Sequence, residues 1–156
     1  MTTAFDEFLA QKRIAVAGVS STHDDAANLI YRKLRETGHE VFAINPKVQQ
    51  VEGDPCYPAL QAIPGGVDGV VIVTRPEVAD QIVHDCADLG IKRVWMHRSL
   101  LSMLGGSVSE KAVEFCQQHD IQVIAGSCPM MFCEPVDFGH KCMRWIMDVT
   151  GKLPQV

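Results

Sequence analysis

RIAVAGVSST, residues 13–22, decides how the rest of the chain is read. Four apolar residues, Ile14 to Ala17, run without alternation, stop at Gly18, and pass through hydroxyl side chains into a helical pattern. An unbroken run of this kind reads as a strand buried on both faces, as in a parallel sheet with helices above and below. Gly18 reads as a tight turn into the next helix. Strand–turn–helix junctions hold phosphates in α/β proteins, because the first N–H groups of a helix lack internal partners and carry the positive end of its dipole. The expectation is a turn that grips a phosphate of a nucleotide-like ligand.

The turn does not match a dinucleotide loop. Gly18 holds the first glycine place of that fingerprint, but Ser20 and His23 stand where the second and third would be. Two readings of Ser20, Ser21 and Thr22 stay open: hydroxyl donors to phosphate oxygens, or turn and cap residues.

Length and composition narrow the class. The 156 residues suit one domain, spanning residues 1–156 with a helical extension from about residue 130. A chain this long buries roughly two thirds of its unfolded surface. Hydrophobic residues make up 47% and charged residues 21%, and no apolar run approaches the roughly 18 residues of a membrane span. The first residues, MTTAFDEFLAQKR, lack the basic-then-apolar order of a signal peptide, so the expected location is cytoplasmic, with no membrane partner. A net charge of −5 argues against a nucleic-acid surface. The six cysteines, none in a CxxC pair, are expected to be reduced and mostly core residues.

Along the chain, residues 4–11 read as a short helix packing Phe5, Phe8 and Leu9 onto the sheet. A strand at about 13–19 follows, then a helix with Ala26, Ala27, Ile30, Tyr31 and Leu34 on one face and Gly38 at its end. The second strand, Glu40 to Ile44, ends in Asn45-Pro46-Lys47. From Val48 to Gly66 the pattern is a connection with a Gly53-Asp54-Pro55 turn and a short helix near 58–62. A third strand, 69–74, ends in Thr74-Arg75-Pro76, a helix start. The next helix puts Val78, Ala79, Ile82, Val83, Cys86 and Leu89 on one face. The fourth strand, 92–96, leads into His97-Arg98-Ser99 and a loop with Gly105-Gly106. Ser107 and Glu110 have capping-box spacing for a further helix. The fifth strand, 121–125, ends at Gly126-Ser127-Cys128-Pro129, and a last helix runs from about Phe138 to Val149. Alternating strands and helices give a doubly wound parallel sheet of about five strands in a three-layer α/β/α, Rossmann-like domain.

Ligands in such sheets bind beyond the carboxyl ends of the strands. Three of those ends supply a cation, Lys47, Arg75 and Arg98, which makes a positive rim on an acidic protein. An NAD site usually carries an acid at the second strand tip, whereas this chain has Asn45, Pro46 and Lys47. Lys47 suits an added phosphate; the alternative is a plain turn with a solvated lysine.

These strand ends together resemble the CoA-binding domain family, small Rossmann-like proteins related to the CoA-binding part of the succinyl-CoA synthetase α subunit. The likeness rests on AVAGVSS (15–21), GHEVFAINPK (38–47), VDGVVIVTRPE (67–77), IKRVWM (91–96) and IAGSCP (124–129). It implies that Gly18, Val19, Ser20 and Ser21 wrap the pyrophosphate of coenzyme A. It implies further that Lys47 lies near the nucleotide phosphates, and that Thr74, Arg75 and Pro76 line the adenosine and pantetheine path. Many members carry Gln and Gly after the fourth-strand Trp, where this chain has Met96-His97-Arg98, and the basic pair there could meet a charged acyl group.

Candidate chemistry is sparse. Cys128 is the most tempting nucleophile, near where a CoA thiol could point, but no obligate base stands beside it. His97 is a general base, an anion partner, or simply a rim residue. Cys128, Cys133, His140 and Cys142 invite a metal, yet their spacing fits no zinc pattern, and Cys142 fits equally on the buried face of the last helix with Phe138, Trp145, Ile146 and Val149. The Met130–Phe132 stretch and that helix could cover the sheet edge or form a homodimer. The expected function is binding of coenzyme A or an acyl-CoA without catalysis. The alternatives are an enzyme acting on a CoA thiol or thioester through Cys128 and His97, and a sensor of NADH.

Overall fold

In a computed structural model, residues 2–98 and 106–154 are described; Ser99 and Gly105 of the expected loop lie outside them. The strands are β1 (Arg13–Ala17), β2 (Glu40–Ile44), β3 (Gln50–Val51), β4 (Asp54–Tyr57), β5 (Gly69–Ile72), β6 (Arg93–His97) and β7 (Gln122–Ser127). The helices are α1 (Ala4–Leu9), α2 (Ala26–Glu36), α3 (Pro76–Asp88), α4 (Glu110–Gln118) and α5 (Phe138–Val149). The sheet order is β3-β4-β2-β1-β5-β6-β7. All pairings are parallel except β3 with β4.

Among the described residues the sheet therefore has seven strands where about five were expected. The extra pair is the hairpin β3–β4, from the stretch read as a turn and a short helix. Its strands are too short to leave a period-2 pattern, and Pro55 is tolerated because β4 lies near the sheet's edge. Only a 3-10 turn, Leu60–Ala62, remains of the expected helix.

Both faces of β1 are covered, as its apolar run requires. Ile14 and Val16 join Phe5, Phe8, Ile30, Leu34, Trp95 and Met147 in one core layer, beneath α1, α2 and α5. Ala15 and Ala17 join Val70, Ile72, Ile82, Val83 and Cys116 in the other, beneath α3 and α4. On α3, Ala79, Ile82, Val83 and Cys86 are buried as expected, but Val78 and Leu89 are exposed. On α4, the cap is Ser109, which accepts from the Ala112 N–H, not Ser107.

The last helix has the expected bounds and the opposite orientation. Met147 is its buried residue, whereas Phe138 is 82%, Trp145 66% and Val149 60% exposed, with Ile146 exposed as well. The side that packs on the body carries the methionines, whose flexible chains fill the space left over Met131 and Cys133. Five of the six cysteines are buried and all six are free thiols.

Candidate functional site at the strand carboxyl ends

The winding of the sheet reverses between β1 and β5: from β1 the chain moves outward through β2, then returns to the other side of β1 for β5, β6 and β7. That is where open α/β sheets take ligands. Gly18 and the segment after β5 meet there. Gly18 has φ +103°, and a Cβ on it would lie 2.1 Å from the Val73 carbonyl oxygen, so only glycine fits. The Gly18 N–H continues the ladder to the Ile44 carbonyl at 3.1 Å.

Hydrogen bonds stitch the strand ends into one rim. The Asn45 side-chain amide donates to the Val19 carbonyl at 3.0 Å, joining the end of β2 to the loop after β1. Its Oδ1 accepts from the Lys47 N–H at 2.9 Å, so the Asn45-Pro46-Lys47 turn is held by Asn45 itself. The Thr74 N–H donates to the Ser107 hydroxyl at 2.8 Å, and the Ser107 N–H donates to the His97 carbonyl at 2.8 Å, which joins β5 to β6. The Arg98 N–H donates to the Ser127 carbonyl at 3.2 Å, joining β6 to β7. Gly18 to Ser21, Asn45 to Lys47, Thr74 to Pro76, His97 to Arg98 and Cys128 thus lie at the carboxyl ends of five neighbouring strands. Lys47 and Arg75 are exposed and make no ion pair among the described residues.

The loop itself is more self-satisfied than the sequence suggested. The Ser20 hydroxyl accepts from the Thr22 and His23 N–H groups at 3.1 and 3.0 Å, and the Ser20 N–H donates to Asn28 Oδ1 at 3.0 Å. The Asn28 amide returns a bond to the Ser20 carbonyl and a second to Glu52, both at 2.8 Å. Asp25 caps α2 through the Ala27 N–H. The helix N-terminus that was expected to meet a phosphate already holds a carboxylate. Asn28 was missed by pattern reading, and Ser107 was read only as a helix cap, because neither its bond to the Thr74 N–H nor the bonds of Asn28 to Ser20 leave a local pattern.

Beside this loop lies a cleft of about 610 Å3, walled by Ser20–Asp24, Asn28, Arg32 and the β3–β4 hairpin. Arg32 is paired on both sides, to Asp24 at 2.9 Å and Glu52 at 2.8 Å. The cleft therefore presents no unsatisfied guanidinium to an anion.

The family model described as "CoA binding domain" matches residues 12–134. The chain belongs to that family. Coenzyme A is accordingly the ligand of this CoA-binding domain. It is 26% identical over 120 residues to the acetate–CoA ligase (ADP-forming) I of Archaeoglobus fulgidus, covering 75% of this chain and 18% of that protein. It is 28% identical over 127 residues to subunit alpha of the acetate–CoA ligase (ADP-forming) II of Pyrococcus furiosus, covering 79% of this chain and 28% of that one. The chain thus spans less than a third of these curated relatives. Among solved structures, a hypothetical protein from Pyrococcus horikoshii OT3 superposes with a TM-score of 0.76 at 26% identity, over 86% of this chain and 92% of that one.

Within the CoA-binding domain, the two residues offered for catalysis are buried. Cys128 is 4% exposed, and burial, with Asp137 adding to it, pushes its thiol up to about 12. It is a protonated core thiol at neutral pH and lacks the thiolate that nucleophilic chemistry needs. His97 is 5% exposed, and burial, reinforced by His140, lowers its pKa to about 4. It is neutral at pH 7, so of the basic pair only Arg98 can face a charged acyl group as a cation. The domain has no group of three or more metal-binding side chains among the described residues, and no helix of them is long and apolar enough to cross a membrane.

Proposed function

We propose that this domain holds coenzyme A across the carboxyl ends of β2, β1 and β5, and that it binds the ligand without turning it over. The observation that carries the reading is the stitched rim, in which the segments after five adjacent strands share one edge and two of them offer exposed cations. In this reading the diphosphate lies against Gly18 to Ser21, the 3′-phosphate is met by Lys47, and Thr74, Arg75 and Pro76 flank the nucleotide and pantetheine arm. His97, Arg98 and the Ser127–Cys128 turn border the far end, where an acyl group would sit. The paired state of Arg32 directs the phosphates away from the neighbouring cleft and towards Lys47 and Arg75.

Thermal denaturation with coenzyme A, dephospho-coenzyme A, acetyl-coenzyme A and NADH in parallel tests this. A ligand at a hundredfold excess over its Kd stabilises the fold by about 2.7 kcal/mol, or roughly 5–10 °C for a chain of this size. Coenzyme A raises the midpoint, dephospho-coenzyme A raises it less, NADH has little effect, and Lys47→Ala removes the difference between the first two. Equal shifts for coenzyme A and its dephospho form in the unaltered protein contradict the role given to Lys47. Consumption of acetyl-coenzyme A contradicts the absence of turnover.

A further inference from the structure

The outward face of α5 is an apolar stripe left exposed among the described residues. Phe138, Cys142, Trp145 and Val149 recur at intervals of four, three and four residues, the spacing of a helix-pairing seam. The stripe is about 16 Å long. The three large side chains at 138, 145 and 149 are each at least 60% exposed, and Ile146 widens the stripe on one side. Isolated exposed apolar residues need no explanation, but a contiguous row of this size on one helix marks an interaction surface. Beside the stripe, a groove of about 250 Å3 runs between Trp145 and the body of the molecule, with Lys141, Arg144, Asp148 and Glu134 among its walls.

The charges beside the stripe identify its occupant. Lys141 and Asp148 are exposed, seven residues apart, and so lie one above the other along the same flank of α5. Neither forms an ion pair among the described residues. When two copies of a helix pair antiparallel about a two-fold axis, each flank faces its own counterpart. Lys141 of one copy then stands beside Asp148 of the other, and the same contact is made twice. A parallel pairing sets that flank against Gly139 and Ile146 instead, leaving both charges unanswered. We infer that α5 is a homodimer interface in which a second copy of this chain packs antiparallel on the Phe138–Cys142–Trp145–Val149 stripe, with two symmetric Lys141–Asp148 pairs setting the register.

A seam this short lies at the small end of specific interfaces, so the dimer is a weak one with a Kd in the micromolar range. It is independent of the coenzyme A reading, because α5 begins beyond residue 134, where the family match ends. Sedimentation equilibrium over a range reaching about 100 µM is the test. The unaltered protein self-associates to a dimer. Trp145→Glu, at an exposed site that leaves the far-ultraviolet circular dichroism unchanged, yields a monomer over the same range. Lys141→Glu and Asp148→Lys each weaken the dimer about tenfold, because two attractions become two repulsions. The double variant Lys141→Glu/Asp148→Lys restores it. A monomeric unaltered protein, a Trp145→Glu variant that still dimerises, or a double variant as weak as either single one overturns the proposal.

Discussion

At the scale of one residue, His97 shows how tertiary position sets charge. Its Nε2 is buried with no hydrogen-bond partner among the described residues, and the Ser127 hydroxyl, on the β7 residue paired with it, is likewise unpartnered. Protonating an imidazole there takes a charge out of water and sets it against His140, which together outweigh the pull of Asp25, so its pKa falls to about 4. The unfolded chain, with an ordinary histidine near 6.5, binds the proton first. The group's contribution is therefore complete above pH 6.5 and is lost as the pH falls from there to about 4. Urea denaturation at pH 7 and pH 5 measures this: the unaltered protein loses about 2 kcal/mol more between those values than His97→Gln does. Equal losses in the two proteins exclude a buried neutral histidine.

At the scale of an element, α2 and its preceding loop form one hydrogen-bonded unit with the β3–β4 hairpin. Asn28 and Arg32 bind Glu52, and the Tyr31 hydroxyl donates to Asp54 at 2.7 Å while Arg35 pairs with the same carboxylate. The unit fixes the loop without ligand, but it also puts the Asp25 carboxylate at the helix N-terminus, on the side proposed to meet a diphosphate. Asp25→Asn retains the cap, since Asn serves that position as well as Asp does, and removes the repulsion. Calorimetric titration at low salt should show coenzyme A binding about threefold to fivefold tighter in this variant, with the gain shrinking as salt rises. The stability cost stays under about 1 kcal/mol, the scale of one charge lost near a helix dipole. Unchanged or weaker affinity means that Asp25 faces away from the phosphates.

At the scale of the whole molecule, Trp95 ties the layers together. It is fully buried on β6, in contact with Phe5 and Phe8 of α1 at centroid distances of 5.4 Å and with Phe132 at 5.7 Å. Its indole N–H donates to the Ser127 carbonyl at 3.1 Å, at the end of β7. One side chain thus joins the N-terminal helix, two strands and the segment leading to α5. Trp95→Ala should cost about 3–5 kcal/mol in chemical denaturation, combining lost apolar burial, an unfilled cavity and one lost buried hydrogen bond. A loss below about 1 kcal/mol would mean that the cluster is not a joint between layers.

Local patterns alone determined the strand–turn–helix alternation, the parallel sheet, the glycine turn at Gly18 and the strand ends where a ligand would gather. Unbroken apolar runs, helix starts such as Arg75-Pro76-Glu77 and positive-φ glycines are written within a few residues of one another, so they survive in the bare sequence. Tertiary structure decided what depends on residues far apart in the chain. The β3–β4 hairpin exists because β2 offers β4 a partner, and Ser107 reaches Thr74 only across the sheet. Cys128 and His97 became an inert thiol and a neutral imidazole through burial, which no neighbour in sequence imposes. The amphipathic pattern of α5 is the sharpest case: periodicity shows that a helix has an apolar face, but the direction of that face is set by what the rest of the fold leaves uncovered. Here the body takes the methionine side and turns the aromatic stripe to the outside.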